Sequence, residues 1–190
     1  RQRLSQRRVF QHNRPNCGLS SVDLGNSKEG NRAHGAIGRV TVKGGMDPAN
    51  IIAARRFIDL ATAAIDPTAD ALAKSLDELA VTYYDTPLGM PDEQAEDPPP
   101  ARVAYADISA RFPDFGYYGA ANPAATSGSA FLGDAIDDIV DIVRDLEEVL
   151  WRFEHIGCDD AHWHFRVLFQ AHWGVHLRDL SRYLHSMQFG

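Results

Sequence analysis

The sequence predicts an all-α fold, a helical bundle of four to five helices in which two long C-terminal helices run antiparallel. Three observations support this prediction. Apolar residues recur with helical spacing from Met46 almost to the C-terminus, Pro- and Gly-rich segments divide that pattern into helix-sized pieces, and no run of convincing alternation follows Met46. A chain of 190 residues suits a single domain with a core of ordinary size.

Charge divides the chain at the same place as the apolar pattern. Residues 1–45 contain nine Lys/Arg and two acids, whereas residues 46–190 contain ten Lys/Arg and 24 acids. We therefore expect a basic, poorly ordered extension over 1–45 and an acidic helical domain over 46–190. The extension is a disordered arm, a targeting peptide or, as we favour, sequence upstream of a true start at Met46. Because the acidic domain repels phosphates, nucleic-acid binding by 46–190 is not expected.

The first half of the domain is predicted as short helices separated by loops. Asp47-Pro48 is a typical helix start and opens a helix over residues 48–65, and a second helix follows over 68–84. Residues 85–100 contain five prolines and five acids and are predicted as a loop. A short helix over 101–112 and a long irregular connection over 115–133 come next, and the length of that connection makes it a candidate for function.

The two longest helices are predicted over residues 133–155 and 159–186. The first has an apolar face formed by Ile136, Ile139, Val143, Leu146, Leu150 and Phe153. Gly157 ends this helix. The acidic pair Asp159-Asp160 is favourable at the N-terminus of the next helix, where the helix dipole is positive. No stretch of 18 uncharged apolar residues occurs, so no membrane span is expected.

Histidines concentrate near the C-terminus, where six of the eight in the chain lie between 155 and 185 and five of these fall in the last predicted helix. His172 and His176 are four residues apart and share one helix face, which Asp179 extends. Two imidazoles and a carboxylate on one face can bind one metal ion, so His172, His176 and Asp179 are the candidate metal ligands. The alternative is that these histidines are hydrogen-bonded inside the bundle, and we expect pairing with Asp179 to raise the pKa of His176.

Aspartates form a second polar stripe, on the helix predicted over 133–155. Asp134, Asp138, Asp141 and Asp145 recur at helical spacing beside the apolar face, as a solvated acidic edge or as metal-binding carboxylates. If the two long helices are antiparallel, the acidic and histidine stripes can face each other. The candidate site residues are then Asp138, Asp141, Asp145, His172, His176 and Asp179.

The C-terminal sequence resembles a known bacterial family. Four segments are similar to the family designated domain of unknown function 5063: Trp163-His164-Phe165-Arg166, His172-Trp173-Gly174-Val175-His176, Leu184-His185, and the acidic helix that begins Gly133-Asp134-Ala135-Ile136. The resemblance covers about residues 48–185. It implies a helical, cytoplasmic bacterial protein and implies no particular activity.

The leading functional hypothesis is a cytoplasmic binding or accessory protein whose acidic body contacts a protein partner or a small molecule. The alternative is a metal-dependent hydrolase with a carboxylate–histidine site between the two long C-terminal helices, in which a divalent metal activates water for attack on a phosphoanhydride or similar bond. Two cysteines, Cys17 and Cys158, provide no metal-ligand spacing. The distance between the two polar stripes distinguishes the hypotheses.

Overall fold

The structure is a computed structural model that describes residues 46–121, 124, 128 and 130–190. Residues 48–190 form one compact unit. The predicted extension over 1–45 lies outside the described residues, so its prediction stays open. Among the described residues, no helix is both long enough and apolar enough to cross a membrane.

The described chain contains six α-helices, one π-helical turn and one β-hairpin. In chain order these are α1 (Ala49–Thr62), α2 (Ala69–Asp85), α3 (Tyr105–Arg111), β1 (Tyr117–Ala120), β2 (Phe131–Asp134), α4 (Ala135–His155), α5 (Cys158–Leu168), the π turn (Phe169–Trp173) and α6 (Gly174–Phe189). The prediction of a helical bundle is confirmed.

Helix α4 lies at the centre of the bundle and packs against α1, α3, α5 and α6. Its inner face is fully buried at Ile139, Ile142, Val143, Leu146 and Val149. Burial of one such side chain stabilises the fold by roughly 1.5–3 kcal/mol, so this face supplies much of the driving force for packing. The helix begins at Asp134, whose Oδ1 accepts a hydrogen bond from the backbone N–H of Ile136 at 3.0 Å.

The last predicted helix is continuous in the structure but not uniformly α-helical. The helical run extends from Cys158 to Phe189, and residues 169–173 form the π turn that separates α5 from α6. Gly174 directly follows that turn, and a Cβ at this position would collide with the carbonyl oxygen of Phe169. The absence of a side chain therefore permits the wide turn, which sequence periodicity did not predict.

The expectation that no strand follows Met46 is wrong in one place. Within the connection predicted as irregular, β1 and β2 form an antiparallel pair in which Tyr117 lies opposite Asp134 and Tyr118 opposite Gly133. Each strand has only four residues and contains a glycine. Segments this short carry too little alternation to be recognised from sequence.

The acidic loop after α2 is attached to the start of α5. The backbone N–H of Asp92 donates to Asp160 Oδ1 at 2.8 Å, and that of Met90 donates to the carbonyl of Asp159 at 3.2 Å. Gly89 has a φ of +64° and passes so close to α5 that a Cβ would lie 2.9 Å from His162 Cβ. Asp160 also faces Arg152 Nη1 at 3.3 Å, so one buried carboxylate joins α4, α5 and the loop.

Candidate metal centre between α4 and α6

The acidic stripe of α4 faces the histidine stripe across the interface between α4 and the segment 169–189. His172 Nδ1 lies 2.8 Å from Asp145 Oδ2, and His176 Nδ1 lies 2.8 Å from Asp138 Oδ1. Residue numbers fall along one stripe as they rise along the other, so the two long helical segments are antiparallel, as predicted. Asp138 is buried, and the side chains of Asp141 and Asp145 are only 17% and 14% exposed. A solvated acidic edge is therefore ruled out for these three residues.

Each imidazole is held through its Nδ1 atom. An ionised carboxylate only accepts hydrogen bonds, so Nδ1 of His172 and of His176 carries the hydrogen that it donates to Asp145 and Asp138. In the neutral ring, this places a lone pair on Nε2. A metal-bound histidine usually donates the N–H of its other ring nitrogen to a carboxylate, a backbone carbonyl or water, and carboxylates take that place here.

Both Nε2 atoms face the same carboxylate oxygen, that of Asp141. Asp141 Oδ2 lies 3.5 Å from His176 Nε2 and 3.9 Å from His172 Nε2, and the two rings are 4.8 Å apart at their centroids. One ligand atom from each of these residues falls within 4.8 Å of the others. Tetrahedral ligands at about 2.0–2.1 Å from a Zn²⁺ ion are roughly 3.3 Å apart, so the three ligand atoms would have to approach one another, by up to about 1.5 Å, to hold one ion.

Tyr118 completes the surroundings of Asp138. The Tyr118 hydroxyl donates a short hydrogen bond to Asp138 Oδ2, while Asp138 Oδ1 accepts from His176. Both oxygens of this buried carboxylate are thus occupied, one by the hairpin and one by α6. The Tyr118 ring also lies 5.1 Å from the ring of Tyr183 on α6.

The protonation preferences of the site follow from these contacts. The hydrogen bond to Asp138 raises the pKa of His176, although burial of the ring opposes the shift. Burial raises the pKa of Asp145, and the hydrogen bond from His172 opposes that shift. Burial and the hydrogen bond to Asp138 raise the pKa of the Tyr118 hydroxyl, so it stays a donor at neutral pH.

The predicted ligand Asp179 is not part of the group formed by Asp141, His172 and His176. Asp179 Oδ1 lies 3.8 Å from Arg182 Nη1, one turn further along α6. The pairing of His176 with Asp179 was also a wrong expectation, since the raised pKa of His176 comes chiefly from Asp138. Asp179 lies on the same helix face as His176, whereas Asp138 reaches His176 across the interface between two helices. The sequence alone could therefore not decide which of these aspartates pairs with His176.

A cavity of about 250 Å³ adjoins this centre between the hairpin and α6. Its lining includes Tyr118, Asp179, Arg182, Tyr183 and Ser186. Tyr118 lines this cavity and also donates to Asp138, whose other oxygen contacts the candidate ligand His176. Asp141, His172 and His176 do not line this cavity.

Sequence reasoning missed Tyr118 as a member of the site. The signal available was the Tyr117-Tyr118 pair at the start of the connection over 115–133, which was marked as a functional candidate because of its length. Contact with Asp138 depends on the hairpin register, which places Tyr118 opposite Gly133. Nothing in the spacing of Tyr118 and Asp138 along the chain indicates that contact.

No family model matches the chain, and no curated protein matches it either. The crystal structure of protein BF1032 from Bacteroides fragilis is similar in fold. The two share 15% sequence identity and a TM-score of 0.55 over 75% of this chain and 91% of that chain. At this identity the likeness shows the fold alone. The resemblance to the domain of unknown function 5063 therefore stays a prediction.

Proposed function

We propose that this protein binds a divalent transition metal through Asp141, His172 and His176, and that the bound ion serves a hydrolytic reaction. One observation supports the proposal most strongly. Separate carboxylates hold both imidazoles at Nδ1, so that both Nε2 atoms face one oxygen of Asp141. Two nitrogens and one carboxylate oxygen match the ligand types and number of catalytic Zn²⁺ sites.

The hydrolytic role follows from the number of protein ligands and their accessibility. Three ligands leave a tetrahedral ion one position for water, and a bound Zn²⁺ lowers the pKa of that water towards neutrality. His172 is 45% exposed, so solvent and substrate reach the ligands. The substrate we propose is a compact molecule with a phosphoanhydride or similar hydrolysable bond.

The competing interpretation of the same contacts is a purely structural set of charged His–Asp pairs. Metal titration separates the two, because protons and metal compete for the same Nε2 atoms. We expect the chelator-treated protein to bind one equivalent of Zn²⁺ in calorimetry, with an affinity that rises with pH. We also expect a higher melting temperature in the presence of the metal, since an ion that binds only the native state stabilises it.

Variants of the ligands and of a neighbouring acid make this experiment specific. Asp141→Asn and His176→Gln should each abolish high-affinity Zn²⁺ binding. Asp179→Asn should bind Zn²⁺ nearly as tightly as the parent, because Asp179 faces Arg182 and not the two imidazoles. A protein that shows neither binding heat nor thermal stabilisation by Zn²⁺ or Mn²⁺ would contradict the proposal.

The second candidate is the binding or accessory function, for which exposed apolar side chains provide support. Val81 and Tyr84 lie one turn apart on α2 and are 61% and 71% exposed, and Leu88 and Met90 in the next loop are similarly exposed. A second copy of the chain is the partner that can be tested first. Sedimentation across a wide concentration range should then show self-association of the parent protein. The double variant Val81→Ser/Tyr84→Ser should stay monomeric over the same range. The cellular setting that accompanies either candidate is the bacterial cytoplasm implied by the family resemblance.

A further inference from the structure

Tyr118 occupies a place in the hairpin that only a glycine partner allows. In the register of β1 and β2 it lies directly opposite Gly133. A Cβ at Gly133 would lie 2.6 Å from Tyr118 Cε2 and 2.8 Å from the Tyr118 hydroxyl oxygen. The ring therefore lies against the glycine, and a side chain at 133 would displace it. This close approach directs the hydroxyl towards α4.

The hydroxyl is connected to a candidate metal ligand through a single carboxylate. Tyr118 donates to Asp138 Oδ2, and the other oxygen of Asp138 accepts from His176 Nδ1 at 2.8 Å. Asp138 is 6% exposed, so water has little access to replace either contact. Without the phenol, one carboxylate oxygen would lose its partner, and the carboxyl group would be free to rotate away from the imidazole.

We infer that Tyr118 is a positioning residue of the metal centre, which holds Asp138 and thereby fixes the His176 ring with Nε2 facing Asp141. The effect on metal affinity rests on the proposed function, whereas the effect on the imidazole does not. Loss of the direct hydrogen-bond partner of a metal-bound histidine, here Asp138, typically weakens metal binding about 10–100-fold, and Tyr118 lies one hydrogen bond further out, so we expect the lower end of that range. The inference also assigns a role to the hairpin, since the two strands bring Tyr118 to the interface between α4 and α6.

A matched control lies on the neighbouring helix. The Tyr105 hydroxyl donates to Asp134 Oδ2 at 2.8 Å, which is also a tyrosine–aspartate bond near the start of α4. Asp134 contacts Tyr105 and caps α4, and it does not belong to the ligand group. Tyr105→Phe thus removes the same chemical group next to the same helix without touching Asp138.

The first measurement is a titration of the chelator-treated protein with Co²⁺, whose visible absorption reports affinity and ligand geometry. We expect Tyr118→Phe to lower the affinity about tenfold and to change the spectrum, and Tyr105→Phe to do neither. Gly133→Ala should act in the same direction as Tyr118→Phe because it displaces the same ring. If Gly133→Ala fails to fold, Tyr118→Phe alone decides the outcome, since it keeps the ring and removes only an oxygen.

The second measurement needs no metal. The ¹⁵N chemical shifts of the His176 imidazole in the metal-free protein should change in Tyr118→Phe and stay at parental values in Tyr105→Phe. Parental imidazole shifts in Tyr118→Phe, or parental Co²⁺ affinity and spectrum in that variant, would overturn the positioning role. A parent protein that binds no metal but shows the expected imidazole shifts would overturn the proposed function and leave Tyr118 as the residue that orients His176.

Discussion

Replacement of Asp138 by alanine removes a buried carboxylate that joins the hairpin, α4 and α6. The residue is 6% exposed, and its two carboxylate oxygens accept from the Tyr118 hydroxyl and from His176 Nδ1. In the variant both donors lose their acceptor at a packed interface. Each orphaned donor costs about 1–3 kcal/mol. His176 keeps some access to water at 25% exposure, so we expect a total loss of about 2–4 kcal/mol in the free energy of unfolding.

The size of this loss should depend on pH in a defined direction. The hydrogen bond to Asp138 raises the pKa of His176 in the folded state above its ordinary value of 6.5. A raised pKa means that the pair stabilises the fold fully below about pH 6.5, and that this contribution is lost as the pH rises through the folded pKa. The penalty for Asp138→Ala is therefore greatest in mild acid and shrinks at alkaline pH.

Urea unfolding measures both the loss in unfolding free energy and its dependence on pH. The parent and the variant are compared with a chelator present, at about pH 5.5 and about pH 9. Asp137→Ala is the matched control, because Asp137 is the adjacent, exposed carboxylate on α4 and should change stability by no more than about 0.5 kcal/mol. A loss below about 0.5 kcal/mol for Asp138→Ala, or a loss that grows with pH, would refute the assignment of Asp138 as the partner of a protonated His176.

Two further substitutions test the elements that position the site. Gly174→Ala places a methyl group against the carbonyl of Phe169. We therefore expect a loss of about 1–3 kcal/mol in the free energy of unfolding and weaker Zn²⁺ binding. Ala171→Gly, on the exposed side of the same turn, is the control and should leave Zn²⁺ binding unchanged. Asp160→Ala leaves the buried Arg152 with Glu148 as its remaining acidic partner, so we expect the free energy of unfolding to fall by about 3 kcal/mol. The backbone amide of Asp92 donates to the lost carboxylate and should exchange faster. Parental exchange at Asp92 would show that the loop is held by other contacts.

Local patterns in the sequence determined the helices and placed each polar stripe on one helix face. The apolar spacing in 136–153 requires one buried helix face, and Asp134 caps that helix because its side chain bonds a backbone N–H two residues away. His172 and His176 were predicted on one face, and both face α4 in the structure. These features depend on residues within a few turns of one another, so periodicity and end signals suffice to predict them.

The tertiary structure alone decided which residues form the site. Asp138 and not Asp179 bonds to His176, since the partner was selected by the contact between two helices and not by spacing along one. Tyr118 joins the site because of the register between two strands of four residues each. Gly174 permits a π turn, which the spacing of the apolar residues does not indicate. Each of these depends on distances between segments remote in sequence, or on the space that a missing Cβ leaves. Such distances exist only once the bundle has packed, which is why the sequence predicted the two stripes but not the ligand group that they form.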